Sequence, residues 1–271
     1  MDRKDPAAVL DRTGYELERE DTFDASSLDA GLWLPRYLPH WSSRDAAAAR
    51  FSLDESHLRL RIEADQSPWC PEFDGWLRVS SIQTGAFSGP VGSSIGQQHF
   101  APGMIVREAQ PNVALYTPTF GLFELRARAL DDPANMVALW MIGYEDEAER
   151  SGEILIMETF GRDVERDVAR IGMGVRPHGD PALVDAFSQE PVSIDVRDFH
   201  TYAAEWTPAW VAFYVDDHLV KVVHQSIAYP MQFMLGIYEF AEGPEPPSPR
   251  DRYPKEFVVD WFRGWRARSS A

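Results

Sequence analysis

Short segments in which apolar and polar residues alternate recur along most of the chain, and this pattern restricts the fold more than any other feature. Alternation with a period of two places the apolar side chains on one face of a β-strand. Turn-forming residues separate the segments, which is typical of antiparallel strands. We therefore predict an all-β fold, an antiparallel two-sheet β-sandwich, with strands at residues 57–64, 76–85, 120–130, 136–143, 153–160, 168–175, 199–207, 210–215, 219–224, 232–240 and 257–265.

Helical periodicity is confined to residues 5–12 and to the alanine-rich residues 44–50. Strands do not alternate with helices, which argues against a parallel α/β fold. Two long irregular segments interrupt the strand pattern: residues 88–103 are rich in Gly and Ser, and residues 241–255 are rich in Pro and charge. Because long loops within compact domains are commonly functional, we predict that both segments border a binding face.

The net charge limits the partners that such a chain can bind. With 26 basic and 43 acidic residues, its formal charge is −17 at neutral pH. Nucleic-acid affinity depends on clustered Lys and Arg, and anionic membranes also attract basic surfaces, so neither is expected as a partner. A neutral ligand is the expected partner, and the pattern specifies no oligomeric state.

The cellular compartment is indicated only by cysteine usage and by the first residues. A single cysteine, Cys70, excludes an internal disulfide and favours a reducing compartment. The first twenty residues are charged throughout and lack the apolar core of a signal peptide. We expect a cytoplasmic protein, with secretion as the alternative if a leader precedes this sequence.

The stretch SGEILIMETFG at residues 151–161 places two glutamates five positions apart, at Glu153 and Glu158. On a helix this spacing would separate the carboxyl groups by about 140° around the axis. On a regular strand an odd spacing sends them to opposite faces. Only a strand with one extra, bulged residue returns both to a common face.

A pair of carboxyl groups on one face has a well-defined chemical use. Retaining glycosidases employ one carboxylate as nucleophile and a second carboxyl group as acid and base. The alternative is purely structural, because an apolar strand that ends in two solvated glutamates is common. On the pattern of this stretch alone, the structural alternative is favoured.

The surrounding motifs change that balance. They are EILIMETFG (153–161), FGLFELRAR (120–128), ALWMIG (138–143), HTYAAEWTP (200–208), FYVDDHLV (213–220), YPM (229–231), VVDWFRGW (258–265) and the opening DTFDASSLDAGLW (21–33). With these motifs in this order, the chain resembles glycoside hydrolase family 16, a clan of β-jelly-roll enzymes with a concanavalin A-like fold that includes laminarinases. The resemblance implies a domain over residues 20–268, preceded by an N-terminal extension at 1–19.

The resemblance implies roles for individual residues. Glu153 would be the nucleophile and Glu158 the acid and base, with His200 of the HTY motif as a partner of Glu158; a structural sheet histidine is an equal alternative for His200. The implied activity is retaining hydrolysis of a neutral β-linked glucan or galactan, as in an endo-β-glucanase. Possible sugar-stacking platforms are the aromatic residues Trp69, Trp76, Trp140 and Tyr116, although a tryptophan in a sandwich is more often part of the core.

Leu155 and Met136 depart from the family pattern. Leu155 stands where the family has an aspartate between its two glutamates, and it would line the cleft as an apolar wall that raises the pKa of both carboxyl groups. Met136 stands where a tryptophan is expected. These departures motivate an alternative function, a carbohydrate-binding protein that has lost turnover, and a third alternative is a structural sandwich without a sugar ligand. The enzyme stays the leading hypothesis, because both glutamates are kept.

The remaining motifs are weak. GSSIG at residues 92–96 has the spacing of a hydrolase elbow around Ser94 but lacks the required strand before and helix after it. The acidic residues Glu145, Asp146, Glu147 and Glu149 are interpreted as a solvated hairpin tip, with a position at one end of the cleft as the alternative. The histidines lack metal-ligand spacing and no oxygen-rich calcium loop is evident, so we expect no metal and no cofactor.

Overall fold

A computed structural model describes residues 5–268. Within that range the chain forms sixteen strands, one α-helix and three short 3-10 turns at residues 39–41, 161–163 and 250–252. The elements are β1 (Tyr15–Asp21), β2 (Phe51–Asp54), β3 (His57–Ile62), α1 (Pro71–Asp74), β4 (Arg78–Gln83), β5 (Gly85–Ala86), β6 (Val113–Ala114), β7 (Gly121–Arg128), β8 (Asn135–Gly143), β9 (Glu153–Phe160), β10 (Ala169–Arg176), β11 (Ser188–Val192), β12 (His200–Trp206), β13 (Val211–Val215), β14 (His218–Val223), β15 (Met231–Glu239) and β16 (Lys255–Ala267).

The strands form two antiparallel sheets that pack face to face. The eight-stranded sheet has the order β14-β13-β12-β7-β16-β3-β2, and β1 also pairs with β16. The six-stranded sheet has the order β11-β10-β9-β8-β15-β4, while β5 and β6 form a separate pair. The predicted all-β antiparallel two-sheet sandwich is confirmed.

The core between the sheets follows from the alternation. Phe123 of β7 and Phe262 of β16 point inward from the eight-stranded sheet and meet Phe233 of β15, with ring centroids 5.0 Å apart in both pairs. The outer face of the six-stranded sheet is also covered, by a second apolar cluster that includes Trp41 and Trp69. The central strands β8 and β15 of the six-stranded sheet are covered on both faces. Their sequences are therefore nearly continuous apolar runs.

Strand β9 contains the predicted bulge. Its pairing with β8 shifts between the pairs Leu139–Met157 and Trp140–Leu155, so Ile156 is the extra residue. Ile156 and the following Met157 both contribute to the core between the sheets. Two successive inward side chains reverse the phase of the strand, which returns Glu158 to the face that carries Glu153.

The N-terminal boundary differs from the prediction. β1 runs across the predicted boundary at residue 20 and pairs along β16. Before it, Val9 forms an isolated bridge with His218, and the backbone N–H of Leu10 donates to the carbonyl of Asp217. The sandwich therefore begins near residue 9, and residues 9–19 are not an extension.

The two stretches with helical periodicity are not helices. Residues 5–12 run in an irregular conformation, and residues 44–50 form turns, because isolated bridges and side-chain hydrogen bonds replace the helical ladder there. In the part of the chain that the structure describes, α1 is the only α-helix, and no helix is long and apolar enough to cross a membrane.

Candidate active site

A pocket of about 200 Å³ lies on the outer face of the six-stranded sheet. Four adjacent strands form its floor, and the segments before β2, before β4 and within residues 88–103 form its walls. The predicted loop at 88–103 thus borders the pocket through Gln98. The second predicted segment, 241–255, begins directly after Phe240, which also lines the pocket. The pocket is lined by Glu153, Leu155, Glu158, Met136, Ala138, Trp140, Arg176, Tyr238, Phe240, Tyr37, Leu77 and Gln98.

The bulge brings both glutamates of β9 into this pocket. Glu153 is 8% exposed and Glu158 is half-buried, while Leu155 lies between them at 3% exposure. Leu155 is directly opposite Trp140 in the ladder, so these two apolar side chains form the middle of the floor. The arrangement therefore places two acidic groups around an apolar centre.

The space around the Glu158 side chain is open because the residues opposite it on the two neighbouring strands are small. It is opposite Ala138 on β8 and Gly172 on β10. A Cβ atom at position 172 would come within 2.6 Å of the Phe187 ring and 3.1 Å of the Glu158 Cβ. A glycine at this position therefore allows Phe187 to pack beside the second glutamate.

The environment raises the pKa of both glutamates. For Glu153 and for Glu158 the largest cause is burial, which penalises the charged form. A hydrogen bond from Gln98 opposes this effect at Glu153, and the positive charge of Arg176 opposes it at both. The negative charge of Glu153 raises the pKa of Glu158 further.

Arg176 is the cation of the pocket. It is opposite Glu153 in the pairing of β9 with β10, and its guanidinium lies 3.7 Å from the centroid of the Phe187 ring. Stacking on an aromatic ring holds the planar guanidinium in place. Arg176 therefore supplies a fixed positive charge beside two buried acids.

An aromatic wall closes the pocket at the Trp140 side. The Trp140 Nε1–H donates to the Tyr238 hydroxyl at 3.1 Å, and the Tyr37 hydroxyl also donates to Tyr238. The Tyr37 and Tyr238 rings meet edge to face, with centroids 5.6 Å apart. This network fixes the orientation of Trp140, which is half-buried and lines the pocket as predicted.

Glu145 is not at a solvated tip, contrary to the prediction for residues 145–149. Its side chain is buried, and a carboxylate oxygen accepts a hydrogen bond from the Gln98 backbone N–H at 2.8 Å. Burial, together with the charge of Glu153, raises its pKa to about 8. The neighbouring residues Asp146, Glu147 and Glu149 are exposed, as expected for a solvated hairpin tip.

A second cavity, of about 480 Å³, continues from this end of the pocket. Glu145, Ser151, His99 and His178 line it, together with residues 94–96. His178 Nδ1 lies 3.8 Å from a carboxylate oxygen of Glu153, and burial lowers the pKa of His178. Two lining residues of this cavity therefore lie next to residues of the pocket: His178 is near Glu153, and Glu145 is bonded to Gln98.

His200 is not part of the pocket, so the prediction that it partners Glu158 is wrong. It begins β12 in the eight-stranded sheet, where its Nδ1 lies 2.6 Å from an Asp216 carboxylate oxygen and its Nε2 lies 3.0 Å from the Asp195 carbonyl. Glu158 is on the outer face of the other sheet. The six-stranded sheet itself separates the two residues, and the structural alternative for His200 is correct.

Two of the four predicted aromatic platforms are buried. Trp69 is 1% exposed and packs against Tyr37 behind the pocket, so its prediction as a sugar platform is wrong. Tyr116 belongs to the core between the sheets, so its prediction is also wrong. Trp76 is 40% exposed and precedes Leu77, which lines the pocket; its role stays a prediction.

Sequence reasoning missed five polar or aromatic groups of the pocket, namely Tyr238, Arg176, Phe240, Tyr37 and Gln98. Tyr238 and Arg176 could have been found from strand phase, since each occupies a position that faces away from the core between the sheets. Tyr37 and Gln98 lie in loops, which carry no such periodicity. Among residues 5–268, no grouping of three or more His, Cys, Asp or Glu has a metal-binding arrangement.

Comparison with known proteins identifies the family. The family described as "Glycosyl hydrolases family 16" matches residues 115–254, which is just over half of the chain and includes β9 and most of the pocket. The chain belongs to glycoside hydrolase family 16.

Curated relatives of this family 16 chain include a glycanase and a glucanase, both at low identity. It is 21% identical over 263 residues to the endo-1,3-1,4-beta-glycanase ExsH of Rhizobium meliloti (strain 1021), covering 94% of this chain and 53% of the relative. It is 26% identical over 171 residues to a beta-glucanase of Rhodothermus marinus, covering 55% and 58%. The chain thus spans little more than half the length of these relatives.

Solved structures give the same fold. A GlcNAc[alpha]1-4Gal releasing endo-[beta]-galactosidase from Clostridium perfringens superposes with a TM-score of 0.81 at 30% identity, covering 97% of this chain and 65% of that chain. SCLam, a non-specific endo-beta-1,3(4)-glucanase from family GH16, superposes with a TM-score of 0.65 at 16% identity, covering 97% and 95%. The second likeness concerns the fold alone.

Proposed function

We propose that this family 16 chain is a retaining endo-glycosidase that cleaves a neutral β-linked polysaccharide or oligosaccharide, with Glu153 as nucleophile and Glu158 as acid and base. The observation that carries the proposal is the bulge in β9, which brings two glutamates with raised pKa values into one pocket. Paired carboxyl groups that flank a glycosidic bond are the machinery of this reaction.

The reaction has two steps. In the first, a carboxylate oxygen of Glu153 bonds to the anomeric carbon while the bond from that carbon to the glycosidic oxygen breaks, and Glu158 gives its proton to the leaving oxygen. In the second, a water oxygen attacks the anomeric carbon, Glu158 takes the proton of this water, and the Glu153 carboxylate leaves. The products are two sugar fragments with the original anomeric configuration retained.

The charges in the pocket support this division of roles. Gln98 and Arg176 both favour the ionised form of Glu153, which a nucleophile needs. The charge of Glu153 favours the protonated form of Glu158, which an acid needs. When Glu153 becomes esterified, that charge disappears and the pKa of Glu158 falls, so that Glu158 can act as a base in the second step.

For the substrate class we place β-galactosides ahead of β-glucans. The support is the Clostridium perfringens endo-β-galactosidase, which has both the higher identity and the higher TM-score of the two solved structures compared. A pocket that has Met136 rather than a tryptophan on its floor also offers less stacking surface to a long flat glucan.

A panel of substrates tests the function. The chain is incubated with β-1,3, β-1,4 and mixed-linkage glucans and with β-galactans and β-galactoside oligosaccharides, and products are read by mass. Nuclear magnetic resonance of the first product identifies the anomer. Cleavage with retained configuration supports the proposal, whereas an inverted product contradicts it.

A carbohydrate-binding protein without turnover is the second candidate, and Leu155 favours it. Leucine can neither donate to nor accept from the adjacent glutamates, whose pKa values burial raises. This candidate would be supported if a member of the panel binds saturably and yields no product, even when the protein is as concentrated as the ligand. Any cleavage that Glu153→Gln abolishes would remove it.

The pH dependence of kcat/KM is expected to reflect the two raised pKa values. Activity is lost at low pH as the Glu153 carboxylate is protonated, and at high pH as Glu158 loses its proton. Because burial raises both pKa values, both limbs should lie above about 4.3, the ordinary value for glutamate. The measurement is kcat/KM between pH 3 and 9; a profile with both limbs at ordinary carboxyl values would contradict desolvation by the pocket.

Trp140→Ala is expected to raise KM roughly 10-fold with a smaller effect on kcat, because the indole offers a sugar-sized apolar face beside both acids. Trp140→Phe should lose less, since it keeps a ring and removes only the hydrogen bond to Tyr238. Trp261→Ala, in the eight-stranded sheet, is the matched control and should leave KM unchanged. An unchanged KM in Trp140→Ala would show that the indole does not contact substrate.

A further inference from the structure

Glu153 receives one close hydrogen bond from outside its own strand. The Gln98 Nε2 donates to a carboxylate oxygen of Glu153 at 2.5 Å, and both side chains are buried. Leu155, the next residue on the same face of β9, has no donor. His178 Nδ1, at 3.8 Å, is beyond hydrogen-bonding distance. Gln98 is thus the side chain that fixes this carboxylate.

The backbone of Gln98 is anchored by the residue before it. The side-chain Nε2 of Gln97 donates to the Gln232 side-chain oxygen at 2.7 Å and to the Tyr144 backbone carbonyl at 3.0 Å. The Gln97 carbonyl accepts the Trp41 Nε1–H at 2.7 Å. These bonds tie the loop to β15, to the end of β8 and to the covering loops, so the position of Gln98 does not depend on β9.

Backbone strain is concentrated around the same carboxylate. Gln98, Glu145 and His178 have φ angles of 54°, 58° and 46°, in the left-handed region that residues other than glycine seldom adopt. They belong to three separate segments, and each contacts or lies close to Glu153 or Gln98. Such conformations persist only where surrounding contacts hold them, and they are concentrated at functional sites.

We propose that Gln98 is a positioning residue for the nucleophile: it orients the Glu153 carboxylate from a loop, while Glu145 holds Gln98 through its backbone N–H. This inference rests on the proposed function of Glu153. The catalytic strand itself supplies no polar neighbour between its two glutamates, so the orienting group comes from the loop at residues 88–103.

The hydrogen bond also controls how readily Glu153 ionises. Two charged groups act on Glu153: the charge of Arg176 favours its ionisation, and the charge of Asp185 opposes it. The other titratable groups near Glu153 are Glu158, Glu145, Tyr37 and His178. Among these influences the Gln98 bond is the largest that lowers the pKa of Glu153. Its loss should therefore raise that pKa.

The test is Gln98→Met, which keeps the length of the side chain and removes the donor. We expect kcat/KM to fall roughly 10- to 100-fold, mostly in kcat, and the acidic limb of its pH profile to move to higher pH. Gln98→Glu should move the limb further in the same direction, because it places a second negative charge beside Glu153. Thermal unfolding of each variant establishes that it is folded.

Gln110→Met is the control, since Gln110 is a half-buried loop glutamine that lines neither the pocket nor the second cavity. It should keep the wild-type rate and pH profile. Wild-type kcat/KM and an unmoved acidic limb in folded Gln98→Met and Gln98→Glu would overturn the inference. Glu153→Gln, assayed in parallel, separates the two proposals: full activity in that variant overturns the proposed function itself.

Discussion

Glu153→Gln should lower kcat by at least about 10⁴-fold on a substrate that the wild-type protein cleaves. The amide that replaces the carboxylate cannot form the covalent intermediate, while its size and its contact with Gln98 are nearly kept. The measurement is the initial rate of product formation at saturating substrate. Glu149→Gln, an exposed acid of the preceding hairpin, serves as the control and should retain the full rate.

Two outcomes would contradict the assignment of Glu153. One is a rate within about tenfold of wild type, which would exclude Glu153 as the nucleophile. The other concerns the intermediate: a mechanism-based inhibitor with a good leaving group should add its glycosyl mass to the peptide that contains residues 153–158. Labelling of a different peptide would place the nucleophile elsewhere.

Glu158→Ala should have an effect that depends on the leaving group. On a natural glycosidic bond, where the departing oxygen needs a proton, kcat should fall about 10²- to 10⁴-fold. On an aryl glycoside whose phenol is acidic, the first step needs no proton, so the loss should be much smaller and the glycosyl-enzyme should accumulate. The measurement compares both substrates with the same variant.

The contrast between the two substrates is the decisive quantity for Glu158. Equal losses on both would indicate that Glu158 only shapes the pocket beside Ala138 and Gly172. Small nucleophilic anions such as azide, which need no general base, should restore part of the rate on the aryl glycoside in Glu158→Ala. They should not do so in Glu153→Gln, which lacks the intermediate.

Much of the site could be predicted from one stretch of sequence. The odd spacing of Glu153 and Glu158 requires a bulge if they act together, and the structure contains it at Ile156. Leu155 was also predicted to line the cleft, and it does; Trp140 lies opposite it in the pocket, and its role as a sugar-stacking platform stays a prediction. These predictions succeed because side-chain direction along a strand follows from residue count, once an extra residue is allowed for.

The wrong predictions share one cause. His200, Trp69 and Tyr116 were placed at the site on residue type and on motif, but their positions depend on tertiary packing. His200 begins a strand of the other sheet, and Trp69 and Tyr116 lie in loop segments that are buried. Alternation states that a side chain leaves the strand on one face or the other. It does not state whether that face meets the core, a covering loop or the pocket.

The sequence by itself predicted the all-β sandwich, because period-two patterning is a property of consecutive residues, and the resemblance of its motifs implied the family and the pairing of the two acids. The tertiary structure alone decided that Gln98 reaches Glu153, that Glu145 is buried and that Arg176 faces both acids. Those contacts join residues far apart in the chain. They arise only when loops fold over the outer face of the six-stranded sheet and exclude water from the carboxyl groups there.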